Sequence, residues 1–231
     1  MLPPACLTLE SQLKTLDGIT FYDQPGTLYC RARQIANAFH LILDKSSGKW
    51  RLDNRPIPTE STRKLVDGTL LVSVTSLKHN GMSVRWDPKE SRAVVKVQNE
   101  PGKALYIRRG AQRVVLNKRA MQLVAWQGRS VVFRSTVGIG KIAHQTPNGI
   151  FKAQAYRTPL HRSTLYNESP MPWAIHIVGD IFIHGAKVAE GRSSHGCIRL
   201  PMTGPNKAKW FYSWIEKGTP VSISGAWPKN A

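Results

Sequence analysis

The apolar residues of this chain come in short, interrupted runs, and that interruption constrains its fold more than any other feature. Stretches such as Val114-Val115-Leu116, Val131-Val132-Phe133 and Ile181-Phe182-Ile183 end within a few residues at Gly, Pro or polar positions. Each has the length and the β-branched or aromatic content of a buried strand. No run approaches the roughly 20 apolar residues that a transmembrane helix needs. The 231 residues allow one large domain or two small ones. The expectation is a mainly β protein with few helices and no membrane span.

Charge narrows the partners. Lys and Arg total 33 against 14 Asp and Glu, a net charge of +19. Such a surplus attracts polyanions: nucleic acid, anionic lipid and the anionic polymers of a cell envelope all fit. No zinc-finger spacing or aromatic RNA-binding motif accompanies the charge, which argues against nucleic acid. There are three cysteines, Cys6, Cys30 and Cys197. Cys6 and Cys30 can pair in an oxidising compartment or remain two separate thiols. Met1-Leu2-Pro3-Pro4-Ala5 lacks the charged and apolar regions of a signal peptide. No export signal is therefore expected in this chain, and Cys6, with no apolar leader before it, is not read as a lipid anchor.

Residues 1–99 read as an α+β domain with an internal pseudo-repeat, about 16–56 and 57–98. Gly26-Thr27-Leu28 recurs as Gly68-Thr69-Leu70, and Leu43-Asp44 matches Trp86-Asp87. After the first copy, Gln34 to His40 has helical periodicity with Ile35, Ala38 and Phe39 on one face. A hairpin through Ser46-Ser47-Gly48 follows. The second copy ends in strands Met82 to Asp87 and Ala93 to Val97. Asn99 to Lys103 is polar and turn-prone, a linker to a second domain at 100–231. There, strands are expected at Arg113 to Leu116, Met121 to Trp126, Ser130 to Val137 and Pro220 to Ser224. A hairpin is expected through Gly179-Asp180, and a tight turn at Asn148-Gly149. One helix is expected, from Pro205 to Lys217, burying Trp210, Phe211, Trp214 and Ile215.

The chemistry concentrates in Ile183-His184-Gly185 and Ser193-Ser194-His195-Gly196-Cys197-Ile198-Arg199-Leu200-Pro201. A thiol becomes a good nucleophile when an imidazole takes its proton, and two imidazoles lie close in sequence. Gly196 permits a tight turn that exposes the Cys197 N–H as an oxyanion donor. Arg199 is placed to meet a substrate carboxylate. Two alternatives stay open on spacing alone: Cys197 as a buried structural thiol, or His184, His195 and Cys197 as zinc ligands. His40 and His79 stand isolated. His144 and His161 fall in loop-like stretches, where solvent exposure is the default, and Arg157 to Tyr166 is a candidate lid.

The run Ser194-His195-Gly196-Cys197-Ile198-Arg199-Leu200 resembles the signature of the L,D-transpeptidase catalytic domain. Val137-Gly138, Thr146-Pro147-Asn148-Gly149-Ile150-Phe151, Met171-Pro172-Trp173, Ile183-His184-Gly185 and Gly218-Thr219-Pro220-Val221 are similar to further parts of it, in the same order, over about residues 104–224. The resemblance implies a β-sandwich catalytic domain and a Cys-acyl mechanism on the tetrapeptide stems of peptidoglycan, with release of the terminal D-Ala. It implies Cys197 as nucleophile, His184 as base, and the N–H groups of Gly196 and Cys197 as oxyanion donors, with His195 shaping the site. Arg199, Ser194, Gly185, Trp173 and His176 are expected on the substrate, with a hydrogen-bonded structural role as the alternative for His176. No metal or cofactor is expected, and the setting implied is the cell envelope. Water in place of an amine acceptor makes the reaction an L,D-carboxypeptidase one, and a non-catalytic wall-binding protein is the alternative of another class. The stretch from about 10 to 98 resembles the copper amine oxidase N-terminal-like domain, an accessory module, with no copper site implied here.

Overall fold

The computed structural model describes residues 14–98, 103–187 and 191–228. Two compact units emerge. The first holds the described residues to Gly18, with Leu28–Arg63 and Leu70–Arg109. The second holds Ile19–Thr27, Lys64–Thr69 and the chain from Gly110 onward. The linker expected at Asn99 to Lys103 lies outside the described residues but for Lys103. The strand that follows, Ala104–Arg109, pairs antiparallel with Arg92–Val97 and parallel with Lys14–Phe21. No described helix is long and apolar enough to cross a membrane.

The first unit is built on a seven-stranded sheet that includes all three of these strands. Its helix, Ala32–Phe39, buries Ala32, Ile35, Ala36 and Phe39, the i, i+3, i+4, i+7 stripe of a helix. Ala38, expected on that stripe, is half-buried beside it. The elements of the two stretches read as a pseudo-repeat follow in this order. Strand Gln24–Arg31 leads to the helix and then the hairpin Leu43–Ser46/Lys49–Leu52. Strand Leu70–Ser73 leads to a 3-10 helix, Thr75–Asn80, and then the hairpin Met82–Asp87/Arg92–Val97. The first hairpin turns through two left-handed residues, Ser47 and Gly48, the geometry that matches strand twist. Cys30 is a free, buried thiol directed at the Val72 carbonyl, and burial pushes its pKa up. Cys6 and the N-terminal residues read above lie outside the described residues.

The second unit is a β-sandwich. One sheet runs in the order Ser130–Thr136, Gln122–Gln127, Gln112–Asn117, Pro220–Ser224, Gly149–Lys152. The other runs Arg157–Ser163, Ser169–Val178, Ile181–Ala186, Ile198–Pro201. They meet where Ser130–Thr136 approaches Ile198–Pro201 and Gly149–Lys152 approaches Ser169–Val178. Asn148-Gly149 forms no tight turn. Strand Gly149–Lys152 pairs with the distant Pro220–Ser224, so there is no hairpin for that dipeptide to close. Arg157 to Ser163 is a strand and not a loop, paired antiparallel with Ser169–Val178, with Arg157 opposite Ile175 and Ser163 opposite Ser169.

The helix is shorter than expected at both ends, Lys207–Trp214. Asn206 caps it, its side chain accepting from Lys209 N at 2.9 Å, so Pro205 lies outside. At the far end the buried Gln112 competes for the backbone. Its Nε2 donates to Trp214 O, and its Oε1 accepts from Glu216 N and Thr219 Oγ1. Phe211, Trp214 and Ile215 are buried as expected, whereas Trp210 is half-buried. The helix lies on three strands of the second sheet.

Candidate active site

Strands Ile181–Ala186 and Ile198–Pro201 are parallel neighbours, with Ile183 opposite Ile198 and His184 opposite Arg199. Residues paired across a sheet share a face, and successive residues alternate. Ile183, Ile198 and Leu200 are buried, while Phe182, His184, Cys197 and Arg199 line a cleft on the second unit. His161, Thr164, Leu165, Tyr166, Met171 and His195 complete much of its wall. Arg157 to Tyr166 therefore reaches the cleft as the candidate lid was expected to, but as one arm of a hairpin.

Cys197 is 9% exposed. Its sulfur accepts a contact from Phe182 N at 3.4 Å and is directed at Asp180 O at 3.5 Å. Burial raises its pKa, with Asp180 adding to the rise and the Phe182 N–H and Arg199 opposing it. His184 is 5% exposed. Its Nδ1 donates to Gly185 O at 2.9 Å, which leaves Nε2 with the lone pair. Burial pushes its pKa down to about 4; the Gly185 carbonyl opposes this, and Arg199 and His161 reinforce it. The His184 ring makes no hydrogen bond to the Cys197 sulfur. Both shifts favour the uncharged forms, thiol and neutral imidazole.

The loop before Cys197 is held from within and from outside. Ser194, fully buried, donates from Oγ to Cys197 O at 2.6 Å and accepts from Gly196 N at 3.2 Å. The Gly196 N–H, expected as an oxyanion donor, is therefore taken by that hydroxyl. Gly196 sits at φ +112°, a conformation that disfavours any other residue. Its carbonyl accepts from Thr146 Oγ1 at 2.8 Å, and the same hydroxyl accepts from Gly140 N at 3.0 Å. A side chain at Gly140 would meet His144 O and Thr146 N, so this close approach requires glycine.

His195 stacks on Tyr166, with ring centroids 4.0 Å apart, and its Nε2 lies 3.0 Å from Lys141 Nζ. The lysine is a donor only, so Nε2 accepts and the ring proton sits on Nδ1. Partial burial first, then Lys141, His144 and Arg199, hold its pKa below the usual value. Arg199 donates to Ser193 Oγ at 2.9 Å, and its Nε is buried without a hydrogen-bond partner.

Three expected substrate contacts lie elsewhere. Trp173 takes φ +57°, which breaks the alternation of its strand. Its ring packs against Tyr212, with Lys209 over it, on the helix side. His176 binds Gly179 O at 2.7 Å and braces the hairpin turn. Gly185 abuts Met202 and Ala208 and acts through its carbonyl on His184. Thr146, Tyr166, Asp180 and Phe182 were not singled out by sequence. Thr146 carried a signal as the first residue of its Thr-Pro-Asn-Gly run, and Tyr166 as the end of the candidate lid. His161 stacks on Phe182 and accepts or donates with Tyr156 Oη at 2.9 Å, so it is a wall residue and not a solvent-facing one. His144 is exposed. Among the described residues no three His, Cys, Asp or Glu side chains converge as a metal-binding group.

The chain is similar to an L,D-transpeptidase from Mycobacterium smegmatis, with 16% identity over 92% of this chain and 94% of that one and a TM-score of 0.46. It is similar to L,D-transpeptidase 1 of Mycobacterium tuberculosis, with 17% identity over 92% and 97% and a TM-score of 0.43. An L,D-transpeptidase from Stackebrandtia nassauensis is 19% identical over 52% of this chain, has a TM-score of 0.47, and is spanned over 58% of its own length. No curated protein matches the chain in sequence. Residues 111–223, which hold every side chain that lines the cleft, match the YkuD family, the L,D-transpeptidase catalytic domain.

Proposed function

We propose that the chain is a cysteine-dependent L,D-transpeptidase of the cell envelope. It acts on peptidoglycan tetrapeptide stems, releases the terminal D-Ala and passes the acyl group to an amine. One observation carries the reading: Cys197, directly before one strand, and His184, on the parallel strand beside it, line one cleft, with the His184 ring fixed through Nδ1 so that its free nitrogen is the basic one. His195 is the poorer candidate for base, because Lys141 occupies its Nε2.

In this reading the thiol proton passes to His184 Nε2 as sulfur attacks the carbonyl of the third stem residue. A raised thiol pKa and a lowered imidazole pKa make a standing ion pair unfavourable, so proton transfer accompanies attack. The tetrahedral oxyanion is met by the Cys197 N–H. Collapse breaks the bond to D-Ala, whose nitrogen takes the proton back from His184, and leaves a thioester. An acceptor amine then gives its proton to His184, attacks the thioester and restores the thiol. Arg199 is the candidate for the substrate carboxylate. The first unit is proposed as an accessory module, and the positive surplus as attraction to anionic envelope polymers.

Purified muropeptides with the full chain, followed by mass spectrometry, test this. D-Ala loss with formation of cross-linked or amine-exchanged product is expected, and Cys197→Ala should abolish it. Loss of D-Ala with water as sole acceptor would make the chain an L,D-carboxypeptidase. No turnover, together with wall binding that survives Cys197→Ala, would favour the non-catalytic reading.

A further inference from the structure

Lys118 is a buried cation outside the cleft. Its residue is 3% exposed, it follows the strand Gln112–Asn117, and burial lowers its pKa. Its Nζ donates to Thr146 O at 2.9 Å. Burying an ammonium costs several kcal/mol unless it is well compensated, and one carbonyl is modest compensation. The next links run to the nucleophile: Thr146, fully buried, gives its hydroxyl proton to Gly196 O at 2.8 Å. Gly196 C=O and Cys197 N–H belong to one peptide unit, which is trans. In a trans peptide these two groups point in opposite directions. Thr146, by fixing where the carbonyl points, also fixes where the N–H points.

We propose that Lys118 and Thr146 are positioning residues that hold the Gly196–Cys197 peptide so that the Cys197 N–H faces the developing oxyanion. This rests on the acyl-transfer reading above and adds to it. Ser194 takes the Gly196 N–H, so the Cys197 N–H is the backbone donor that this loop retains for the oxyanion. Misdirecting it weakens stabilisation of a tetrahedral intermediate. It leaves untouched a displacement at sulfur that passes through no such intermediate.

That contrast sets the experiment, on the full chain. Two reactions of Cys197 are timed by intact mass: acylation by imipenem, which opens a strained carbonyl and develops an oxyanion, and alkylation by iodoacetamide, which develops none. Lys118→Met keeps the length of the side chain and removes the charge. It should slow acylation roughly tenfold to a hundredfold, within the cost of losing one oxyanion donor, and change alkylation by less than about twofold. Thr146→Val should do the same, and the double variant should be no slower than the slower single one, since both act through one peptide. Lys118→Arg should recover part of the acylation rate. If Lys118→Met does not fold, Lys118→Gln, whose uncharged amide stops one atom short of the lysine nitrogen that holds Thr146 O, is measured in its place with the same expectation. Unchanged acylation overturns the proposal, and so does an equal fall in both rates, which would mark general damage to the loop. Failure of the wild-type chain to be acylated at all would instead count against the transpeptidase reading.

Discussion

At the scale of single residues, His184 offers the sharpest test of the site. Its ring is held at about 4, below the ordinary value near 6.5. Between those two pH values the unfolded chain binds a proton at this position and the folded chain does not. Stability must therefore rise with pH across this window, and fall as the solution is acidified from 6.5 toward 4. The full difference is roughly 3 kcal/mol for a shift of this size. Urea unfolding measured from pH 7 to pH 4 should show that slope, and His184→Gln should flatten it. A slope that persists in the variant would assign it to other groups. In pre-steady-state acylation, His184→Ala should cost roughly two to four orders of magnitude, the scale of a general base. His195→Ala should cost less in acylation and more in substrate affinity, and the reverse ranking would move the base role to His195. These two histidines and Cys197 were legible in sequence because base strand and nucleophile turn lie 13 positions apart in one local unit. Thr146 acts from 50 positions away, and nothing local in its sequence names the carbonyl it holds. Trp173 was expected on the substrate from the resemblance alone, and its positive φ, which no local motif announces, accompanies a ring packed on Tyr212.

At the scale of elements, the helix Lys207–Trp214 illustrates how a distant side chain edits a local pattern. The periodicity and Gly218 allow a helix to Lys217, but Gln112 takes the Trp214 carbonyl and the Glu216 N–H that continuation would use. The start is decided locally, by the Asn206 cap. Gln112→Leu would fill similar space and strand three polar groups: Trp214 O, Glu216 N–H and the Thr219 hydroxyl. Each unsatisfied buried group costs about 1–3 kcal/mol, so thermal unfolding should shift down by several degrees even though helical propensity is unchanged. A variant that melts with the wild type would show that water or a longer helix satisfies those groups. The strand pattern was easier to read. Pro220 to Ser224 and the hairpin through Gly179-Asp180 are bounded by their own turn residues, whereas partners such as Gly149–Lys152 with Pro220–Ser224 depend on chain reversal that no local motif encodes.

At the scale of the whole molecule, sequence order and spatial grouping part company. The turn-prone stretch near residue 100 reads as a boundary in sequence, yet segments from the first hundred residues belong to the second unit. Phe21, 2% exposed, meets the Trp210 ring edge-on at 5.6 Å. Thr20 accepts from Gln127 Nε2 at 2.8 Å and donates to Glu216 at 3.0 Å. Trp210 Nε1 donates to Lys64 O at 2.8 Å. A chain cut at Lys103 keeps the cleft residues and loses all of these partners. Burial of one large apolar side chain such as Phe21 is worth about 1.5–3 kcal/mol, and the lost hydrogen bonds add about 1 kcal/mol each. The sum is a large share of the 5–15 kcal/mol that typically separates folded from unfolded protein. The fragment 103–231 is therefore expected to fold marginally, to melt well below the full chain, and to lose imipenem acylation in step with its folded fraction. Adding back binding energy from outside the segment should restore it: turnover per folded molecule, counted by near-ultraviolet circular dichroism at low temperature, should stay close to that of the full chain. A fragment as stable as the full chain would show that these contacts contribute little. A fully folded fragment without acylation would mean that the first hundred residues complete the catalytic cleft itself.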